Sequence, residues 1–219
     1  MDASFRFDKH QHKYYVGDRE LISVTTLLKA MGLSWYPNNE AVRLKMELGT
    51  YVHQITEFYD KNRLGHPVKF YPENIYKNDA IRKENGMHEA VPYFEAYKKF
   101  LKETECEVIE VEKRYYHPAW FYAGTIDRLV RLKGQLGILD IKSGIAIPAT
   151  DLQIGGYGEL YRHWHAVTPK GFVLYLQKDG NYKLKEIKEV PTQANTFLSA
   201  LSVWHWKQKN NIKEGYDYE

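Results

Sequence analysis

The spacing of hydrophobic and polar residues divides the chain into a mainly helical first half and a mainly sheet-forming second half. Residues 5–21 alternate around Gly17 and Asp18, which predicts a β-hairpin with a two-residue turn. Apolar residues then recur at helical spacing, and further on at every second position. The predicted helices are residues 23–31 (capped by Ser23 or Thr25), 40–62, 88–103, 149–165 and 192–209. The predicted strands are residues 107–116, 121–132, 135–141, 172–177 and 182–187.

This order of elements predicts an α/β sandwich with a mixed sheet. No stretch of the 219 residues has the composition of an interdomain linker, so we expect a single domain. Its expected parts are an N-terminal hairpin and helical region (1–105), a catalytic sheet with one helix (106–190), and a C-terminal helix and tail (191–219). Residues 65–78 lack a clear period and are expected to form a loop.

Composition narrows the class of protein only slightly. The chain is 43% hydrophobic and 27% charged, with a net charge of +3, and it has no apolar run long enough to cross a membrane. The N-terminus lacks the apolar segment of a secretory signal, and the single cysteine, Cys106, excludes an internal disulfide. We therefore expect a cytoplasmic protein of a bacterial or phage-infected cell. The 18 tyrosines suit either packing or stacking on nucleic-acid bases.

One predicted hairpin collects charged residues. If Lys133 and Gly134 form its turn, Asp127 lies opposite Asp140, and Thr125 lies opposite Lys142. Opposed residues project from the same face of a sheet with their Cβ atoms about 4.5–5.5 Å apart, where two carboxylates repel each other.

A cation between the two carboxylates would remove this repulsion. Mg²⁺ or Mn²⁺ would bind carboxylate, carbonyl and water oxygens there, and Lys142 would face the same site. Two acids and a lysine around such an ion suit phosphodiester hydrolysis. The alternative is a solvated hairpin face whose acids are neutralised by Arg128, Arg131 and nearby lysines.

Four sequence motifs occur in an order that resembles a known family. GTIDRL (124–129) and ILDIKSG (138–144) resemble the signature of the PD-(D/E)XK nucleases, in their RecB-like exonuclease branch. GTYVHQITE (49–57) resembles the upstream helix motif of that branch, and DLQIGGYGELY (151–161) resembles its Gln-x-x-x-Tyr motif. The N-terminal hairpin followed by LISVTTLL is similar to the start of phage exonucleases and of the mitochondrial genome maintenance exonuclease. The resemblance extends from residue 5 to about residue 165.

The resemblance implies a restriction-endonuclease-like core and a role for each motif residue. Lys142 would be the catalytic lysine, acting with Asp127 and Asp140, and Gln153 and Tyr157 would line the site and touch the DNA strand. The implied metal ligands are His53, Asp127, Asp140 and the backbone carbonyl of Ile141.

Other candidates follow from position. Glu57 lies one helical turn after His53 and could hold its imidazole in one tautomer. Gly49 would allow a close approach of backbone or DNA. Glu112, predicted to pair with Thr125, could bind metal, restrain Lys142, or be an exposed strand acid. Tyr161 could equally well pack or line the site. Three basic residues are candidate phosphate contacts, namely Lys113, Arg114 and Arg128.

Two features separate the chain from some members of this branch. A single cysteine cannot hold an iron–sulfur cluster, and no P-loop motif is present. The glycines at 155, 156 and 158 are costly in a helix, so we expect close packing there against the sheet or against DNA.

The sequence therefore predicts an Mg²⁺- or Mn²⁺-dependent exonuclease that acts on single-stranded or end-bearing DNA in recombination, repair or phage replication. The alternatives are a structure-specific or flap endonuclease with the same site, and a catalytically inactive DNA-binding module. Cleavage polarity, the number of metal ions and the oligomeric state are left open.

Overall fold

The computed structural model describes residues 4–34, 37–66 and 89–212. Within these ranges the helices are α1 (Val24–Ala30), α2 (Glu40–Arg63), α3 (Val91–Thr104), α4 (Ala149–His165) and α5 (Val190–Lys209). The strands are β1 (Phe5–Asp8), β2 (Lys13–Val16), β3 (Arg19–Ser23), β4 (Glu107–His117), β5 (Tyr122–Leu132), β6 (Gln135–Lys142), β7 (Lys170–Leu176) and β8 (Tyr182–Ile187). Most of the loop predicted at 65–78 lies outside the described residues.

The predicted helices and strands are found close to their predicted bounds, and local capping explains where two helices begin. Ser23 Oγ accepts a hydrogen bond from the backbone N–H of Thr26 at 3.0 Å and so caps α1. Asn39 Oδ1 accepts from the N–H of Val42 at 2.9 Å and caps α2. The predicted N-terminal hairpin is a three-stranded meander, because residues before and after the turn at 9–12 also pair, as β1 and β2. The turn at Gly17 and Asp18 joins β2 to β3 as predicted.

The strands form one mixed sheet in the order β1-β2-β3-β5-β6-β7-β8, with β4 paired to β5. β4 occupies one edge of β5 along nearly its whole length, from Tyr122 to Arg131. The other edge of β5 is shared: Tyr122 and Ala123 pair with β3 in parallel, and residues 128–132 pair with β6 antiparallel. The sheet therefore forks at the middle of β5, between its pairings with β3 and with β6.

The β5–β6 ladder has the predicted register, but it ends before the predicted pairs of Asp127 with Asp140 and of Thr125 with Lys142. Arg128 pairs with Leu139 and Leu132 with Gln135, as a turn at Lys133 and Gly134 requires. The β4–β5 register differs from the prediction by two residues, because Arg114, and not Glu112, pairs with Thr125. This correction keeps Glu112 on the same edge of β5 but moves it to the level of Asp127.

Helices cover both faces of the sheet. On one face α1, α4 and α5 enclose an apolar core that includes Leu27, Ile154, Tyr157 and Phe197. On the other face α2 and α3 enclose a second core with Val52, Phe100, Leu139 and Ile141. No helix in the described ranges is both long and apolar enough to cross a membrane.

The glycines of α4 pack against a helix, and not against the sheet or DNA as expected. A Cβ atom at Gly155 would lie 2.4 Å from the backbone carbon of Gln193, and one at Gly158 would lie 2.6 Å from Val190 Cγ1. Both neighbours belong to the start of α5. These glycines therefore permit the two helices to cross at backbone contact distance, which orients α4 on the sheet.

Candidate active site at the fork of the sheet

The predicted site residues converge where β5 leaves β3 and joins β6. The side chains of β5 change faces here, since Ile126 and Leu129 belong to the same core although they are three residues apart. Asp127 lies at this change, and its Oδ2 accepts a hydrogen bond from the backbone N–H of Ile141 at 3.0 Å. The fork therefore lets a side chain from α2 and side chains from α4 reach the carboxylates of β5 and β6 from opposite layers.

Asp140, Lys142 and Gln153 form one half of the site. Asp140 is buried, and its Oδ1 accepts hydrogen bonds from Lys142 Nζ and Gln153 Nε2, both at 3.0 Å. Its Oδ2 lies 2.8 Å from Lys142 Nζ but receives no hydrogen bond among the described residues. Gln153 also accepts from Lys142 Nζ at 3.2 Å, so one amide holds both the acid and the lysine. Burial raises the pKa of Asp140, and Lys142 opposes this effect.

Tyr157 supports this half of the site from behind. Its Oη accepts a hydrogen bond from Gln153 Nε2 at 3.2 Å, and both side chains are buried. Gly124 makes room for the ring, since a Cβ atom there would lie 2.7 Å from Tyr157 Cε1. In this arrangement Tyr157 faces the protein and not the solvent, so the DNA contact expected for it is not supported.

His53, Glu112 and Asp127 form the other half of the site. One possible ligand atom from each lies within 4.8 Å of the others, and His53 Nδ1 is 3.5 Å from Asp127 Oδ2. Glu112 has a φ of +51°, an unusual value for a residue other than glycine within a strand. This backbone conformation interrupts the β4–β5 pairing at the level of Asp127 and brings the two carboxylates together.

Acidic side chains are concentrated in this cluster. Burial and the neighbouring carboxylates of Asp127 and Glu57 raise the pKa of Glu112 to about 8, although Arg128 and Lys61 act in the opposite direction. Glu57 itself is paired with Lys61 on α2. The expected contact between Glu57 and His53 is thus replaced by an ion pair along the helix, and the imidazole points to Asp127.

This donor set fits a divalent cation. One imidazole and two carboxylates within ligand distance of one another suit Mg²⁺ or Mn²⁺. A bound cation would favour the ionised form of Glu112, whose pKa is raised first by burial and then by the charge of Asp127. This cluster differs from the predicted ligand set in two respects. Glu112 joins His53 and Asp127, whereas Asp140 is held by Lys142 and Gln153.

The three basic residues predicted to contact phosphate each interact with other groups of the protein. Arg128 is fully buried, so its prediction as a phosphate contact is wrong. Lys113 Nζ donates to Glu110 Oε1 at 2.9 Å, and the Arg114 guanidinium lies 4.4 Å from the centroid of the Phe7 ring. Tyr161 is buried and stacks on His165 with 4.2 Å between ring centroids, which favours the packing alternative.

Residues that received no predicted role also shape the site. Tyr14, from the N-terminal meander, shares a 2.7 Å hydrogen bond with Thr125 on β5. Thr56 and Asp60 lie on the buried side of α2, three and seven residues after His53, and contact Arg128. The helical spacing of these polar residues on an otherwise apolar stripe was the only sequence signal for them. At Gly49 the described neighbour is a side chain and not the backbone, since a Cβ atom there would lie 3.2 Å from Ser143 Oγ, just beyond Lys142. The approach of DNA at Gly49 stays a prediction.

Comparison with known proteins identifies the family and supports the description of the fold. The family model described as the PD-(D/E)XK nuclease superfamily matches residues 26–219. No curated protein sequence matches the chain significantly. Among solved structures, a candidate exonuclease from Eubacterium rectale has a TM-score of 0.56 at 11% identity, covering 89% of this chain and 83% of that one. The alkaline exonuclease LHK-Exo from Laribacter hongkongensis has a TM-score of 0.38 at 13% identity, covering 87% and 92%.

The protein thus has a central mixed sheet flanked by helices, with an acidic and histidine-containing cluster at a fork in that sheet. Because the family model matches most of the chain, the protein belongs to the PD-(D/E)XK nuclease superfamily. The likeness to the Eubacterium rectale protein, at its low identity, is a likeness of fold.

Proposed function

We propose that this protein is a divalent-metal-dependent deoxyribonuclease that removes nucleotides from DNA ends. The observation that carries the proposal is the placement of Lys142 and Asp140 beside the His53, Glu112 and Asp127 cluster, at the fork of a nuclease-superfamily sheet. Structural proteins rarely place five acidic and basic groups in a partly buried cluster without a ligand, because desolvation raises the free energy of each charge.

The donors proposed for the cation are His53 and the carboxylates of Glu112 and Asp127, which already lie within ligand distance of one another. Asp140 and the carbonyl of Ile141 are further proposed ligands, and they come from the family resemblance. When bound, Mg²⁺ or Mn²⁺ would polarise the scissile phosphate and lower the pKa of a water molecule.

The protein groups have separate tasks in the proposed reaction. Lys142 orients the attacking water or stabilises the negative charge that develops on the phosphate oxygens, because its ammonium is partly exposed beside the acidic cluster. Gln153 keeps the ammonium in place by accepting one of its hydrogen bonds while donating to Asp140. Tyr157 fixes the Gln153 amide in turn. The lysine is therefore preorganised before DNA binds.

The direct test is digestion of end-labelled linear DNA, single- and double-stranded, in Mg²⁺, Mn²⁺ or EDTA. We expect release of short labelled products that requires metal, and no cleavage of a covalently closed circle, because a circle has no end. Cleavage of the circle would favour the endonuclease alternative with the same site. Binding of DNA without any cleavage in either metal would favour an inactive DNA-binding module and contradict the proposal.

The proposed setting follows from this chemistry. An enzyme that degrades DNA from its ends would act in recombination, repair or phage DNA replication, in the cytoplasm of a bacterial or phage-infected cell. Labels placed separately on the 5′ and 3′ ends of a single strand would report activity and polarity in one time course.

A further inference from the structure

A fully buried guanidinium lies next to the acidic cluster on the α2 side of the sheet. Arg128 is 0% exposed, and it follows Asp127 directly on β5. Its Nε donates to Asp60 Oδ2 at 2.6 Å, and its Nη2 donates to Thr56 Oγ1 at 3.2 Å. Its Nη1 donates to the backbone carbonyl of Asp127 at 2.7 Å and lies 3.4 Å from Glu112 Oε1.

These contacts join the three elements that supply the proposed metal donors. Thr56 and Asp60 lie on α2, which carries His53. Glu112 lies on β4, and the Asp127 carbonyl lies on β5. One rigid, planar group therefore contacts α2, β4 and β5 at the same time. The separation of His53 from the two carboxylates depends on how these elements are held together.

Asp60 is fixed from a second direction. Tyr97, on α3, donates to Asp60 Oδ2 at 2.5 Å, so the acid that receives Arg128 is itself anchored to a different helix. Asp60 and Tyr97 are both buried. The network therefore extends from the back of the α2–α3 layer to the acidic cluster without passing through solvent.

Two of the residues that Arg128 contacts, Glu112 and Asp127, lie at backbone irregularities. Glu112 has a positive φ, and the side chains of β5 change faces at Asp127. At such positions the regular strand pairing does not fix the backbone, so another donor has to do so. Arg128 Nη1 donates to the Asp127 carbonyl and also contacts the Glu112 carboxylate.

Stability alone is a weak reason for this arrangement. Buried ion pairs contribute little net free energy of folding, since the desolvation of both charges offsets their attraction. Apolar side chains could fill the same volume, but they could not direct hydrogen bonds to Asp60, Thr56 and Asp127 together. The guanidinium therefore contributes by fixing the relative positions of α2, β4 and β5.

We propose that Arg128 and Asp60 are positioning residues, which set the spacing of His53, Glu112 and Asp127 and so determine the affinity of the site for its divalent cation. The proposal rests on the function proposed above and extends it. Arg128 and Asp60 touch neither the cation nor the DNA, and they act through the three donors. Partners that orient metal ligands typically change metal affinity or activity about 10–100-fold when they are replaced.

The test compares Arg128→Lys and Asp60→Asn with the wild-type protein. Lysine keeps the positive charge but places its donors on a single nitrogen, so it cannot contact all three elements. Asparagine keeps the shape of Asp60 and removes its charge. Mn²⁺ binding is measured by calorimetry on the full chain without DNA, and DNA cleavage is measured over a series of Mn²⁺ concentrations.

We expect both variants to bind Mn²⁺ about tenfold more weakly or worse, and to recover most of the wild-type cleavage rate at saturating Mn²⁺. The KM for DNA should change less than the Mn²⁺ concentration at half-maximal rate. A merely structural role would not give this recovery. The matched control is Tyr122→Phe, which removes another buried hydrogen bond of β5, from Tyr122 Oη to the Gly156 carbonyl. It should lower thermal stability and leave Mn²⁺ affinity unchanged.

The outcomes separate this inference from the function on which it rests. If the wild-type protein binds no Mn²⁺ and cleaves no DNA, the proposed function fails. If the wild-type protein does both, and the folded variants bind Mn²⁺ with wild-type affinity, the function stands and the positioning role is overturned. Should Arg128→Lys not yield folded protein, Asp60→Asn decides the question by the same criterion.

Discussion

Asp127 Oδ2 accepts a hydrogen bond from the backbone N–H of Ile141 at 3.0 Å, across the gap where the sheet forks. The backbone ladder between β5 and β6 extends only from Leu132 and Gln135 to Arg128 and Leu139. Beyond this ladder, the Asp127 carboxylate accepts the hydrogen bond from Ile141 that a backbone carbonyl of β5 would accept in a regular sheet. Asp127 therefore closes the sheet and at the same time presents its charge to His53 and Glu112.

These two tasks of Asp127 can be separated by substitution. Asp127→Asn keeps an oxygen that can accept from Ile141, whereas Asp127→Ala loses it. Both variants should lose Mn²⁺ binding, because both lack the negative charge. The alanine variant should be less stable than the asparagine variant by about 1–2 kcal/mol, since the Ile141 N–H is left without a partner. Urea unfolding of the metal-free proteins measures the difference, and equal stabilities would show that the hydrogen bond contributes nothing.

Lys142→Ala should remove cleavage while leaving the fold in place. Loss of one charged group that stabilises the transition state typically lowers the rate about 10²–10³-fold. The measurement is a single-turnover rate on end-labelled DNA at saturating Mn²⁺. Lys170→Ala is the matched control, because the Lys170 side chain forms an exposed ion pair with Glu186. This variant should cleave DNA at the wild-type rate. A Lys142→Ala rate within threefold of wild type would exclude the lysine from the reaction.

Protons should compete with the cation at Glu112. Burial and the neighbouring carboxylates of Asp127 and Glu57 raise the pKa of Glu112 to about 8, so the metal-free protein holds a proton there at neutral pH. Cation binding has to release this proton. The apparent Mn²⁺ affinity should therefore rise about tenfold per pH unit between about pH 6 and pH 8, and then level off.

The control for this prediction is a pair of glutamine variants. Glu112→Gln should bind Mn²⁺ more weakly and show a much smaller pH dependence, as measured by calorimetry at several pH values. Glu110→Gln removes a nearby strand acid that is paired with Lys113, outside the cluster, and should keep the wild-type dependence. If the Mn²⁺ affinity of Glu112→Gln depends on pH as strongly as that of the wild type, another group holds the proton.

His117 should make the protein sensitive to acid. Burial, and then the charge of His163, lower the pKa of His117 to about 4, although Glu159 acts in the opposite direction. The unfolded chain has a His pKa of about 6.5, so between about pH 6.5 and pH 4 the unfolded state binds a proton that the folded state does not. Stability should therefore fall as the pH falls through this window, by roughly 3 kcal/mol for this residue.

Unfolding measured at several pH values for wild type and His117→Asn would isolate this effect from other acid-sensitive groups. The difference in unfolding free energy between the two proteins should shift in favour of the variant as the pH is lowered. His10→Asn changes an exposed histidine of the N-terminal meander and should follow the wild-type curve. A constant difference between wild type and His117→Asn would contradict the assignment.

Gly155→Ala should destabilise the packing of α4 on α5, although alanine is the better helix former. A Cβ atom at position 155 would lie 2.4 Å from the Gln193 backbone carbon and 2.5 Å from the Ala194 nitrogen, and neither atom can move without shifting a helix. We expect a loss of about 1–3 kcal/mol, seen as a lower thermal midpoint. Gly144→Ala is the control, since nothing lies within 4 Å of its Cβ position.

Local pattern determined much of the fold and the positions of the main residues of the candidate site. Alternation and helical spacing gave the helices and strands nearly at their observed bounds, because each element buries one face whatever its partners are. The two-residue turn at Lys133 and Gly134 fixed the β5–β6 register, because a short turn leaves no freedom in the pairing. Asp127, Asp140 and Lys142 could therefore be placed on adjoining strands from the sequence alone.

Only the tertiary structure decided what those side chains contact. The connection between β4 and β5 is longer than a two-residue turn, so the sequence did not determine how these strands pair. The observed register is shifted by two residues from the predicted one and places Glu112 beside Asp127. The change of faces at Asp127 turns Arg128 into the opposite layer, where it is buried against Asp60, and so removes it from any phosphate. Packing of whole helices brings α2 and α4 to the fork from opposite sides of the sheet. Such contacts depend on residues far apart in the chain, whose distances no local pattern constrains.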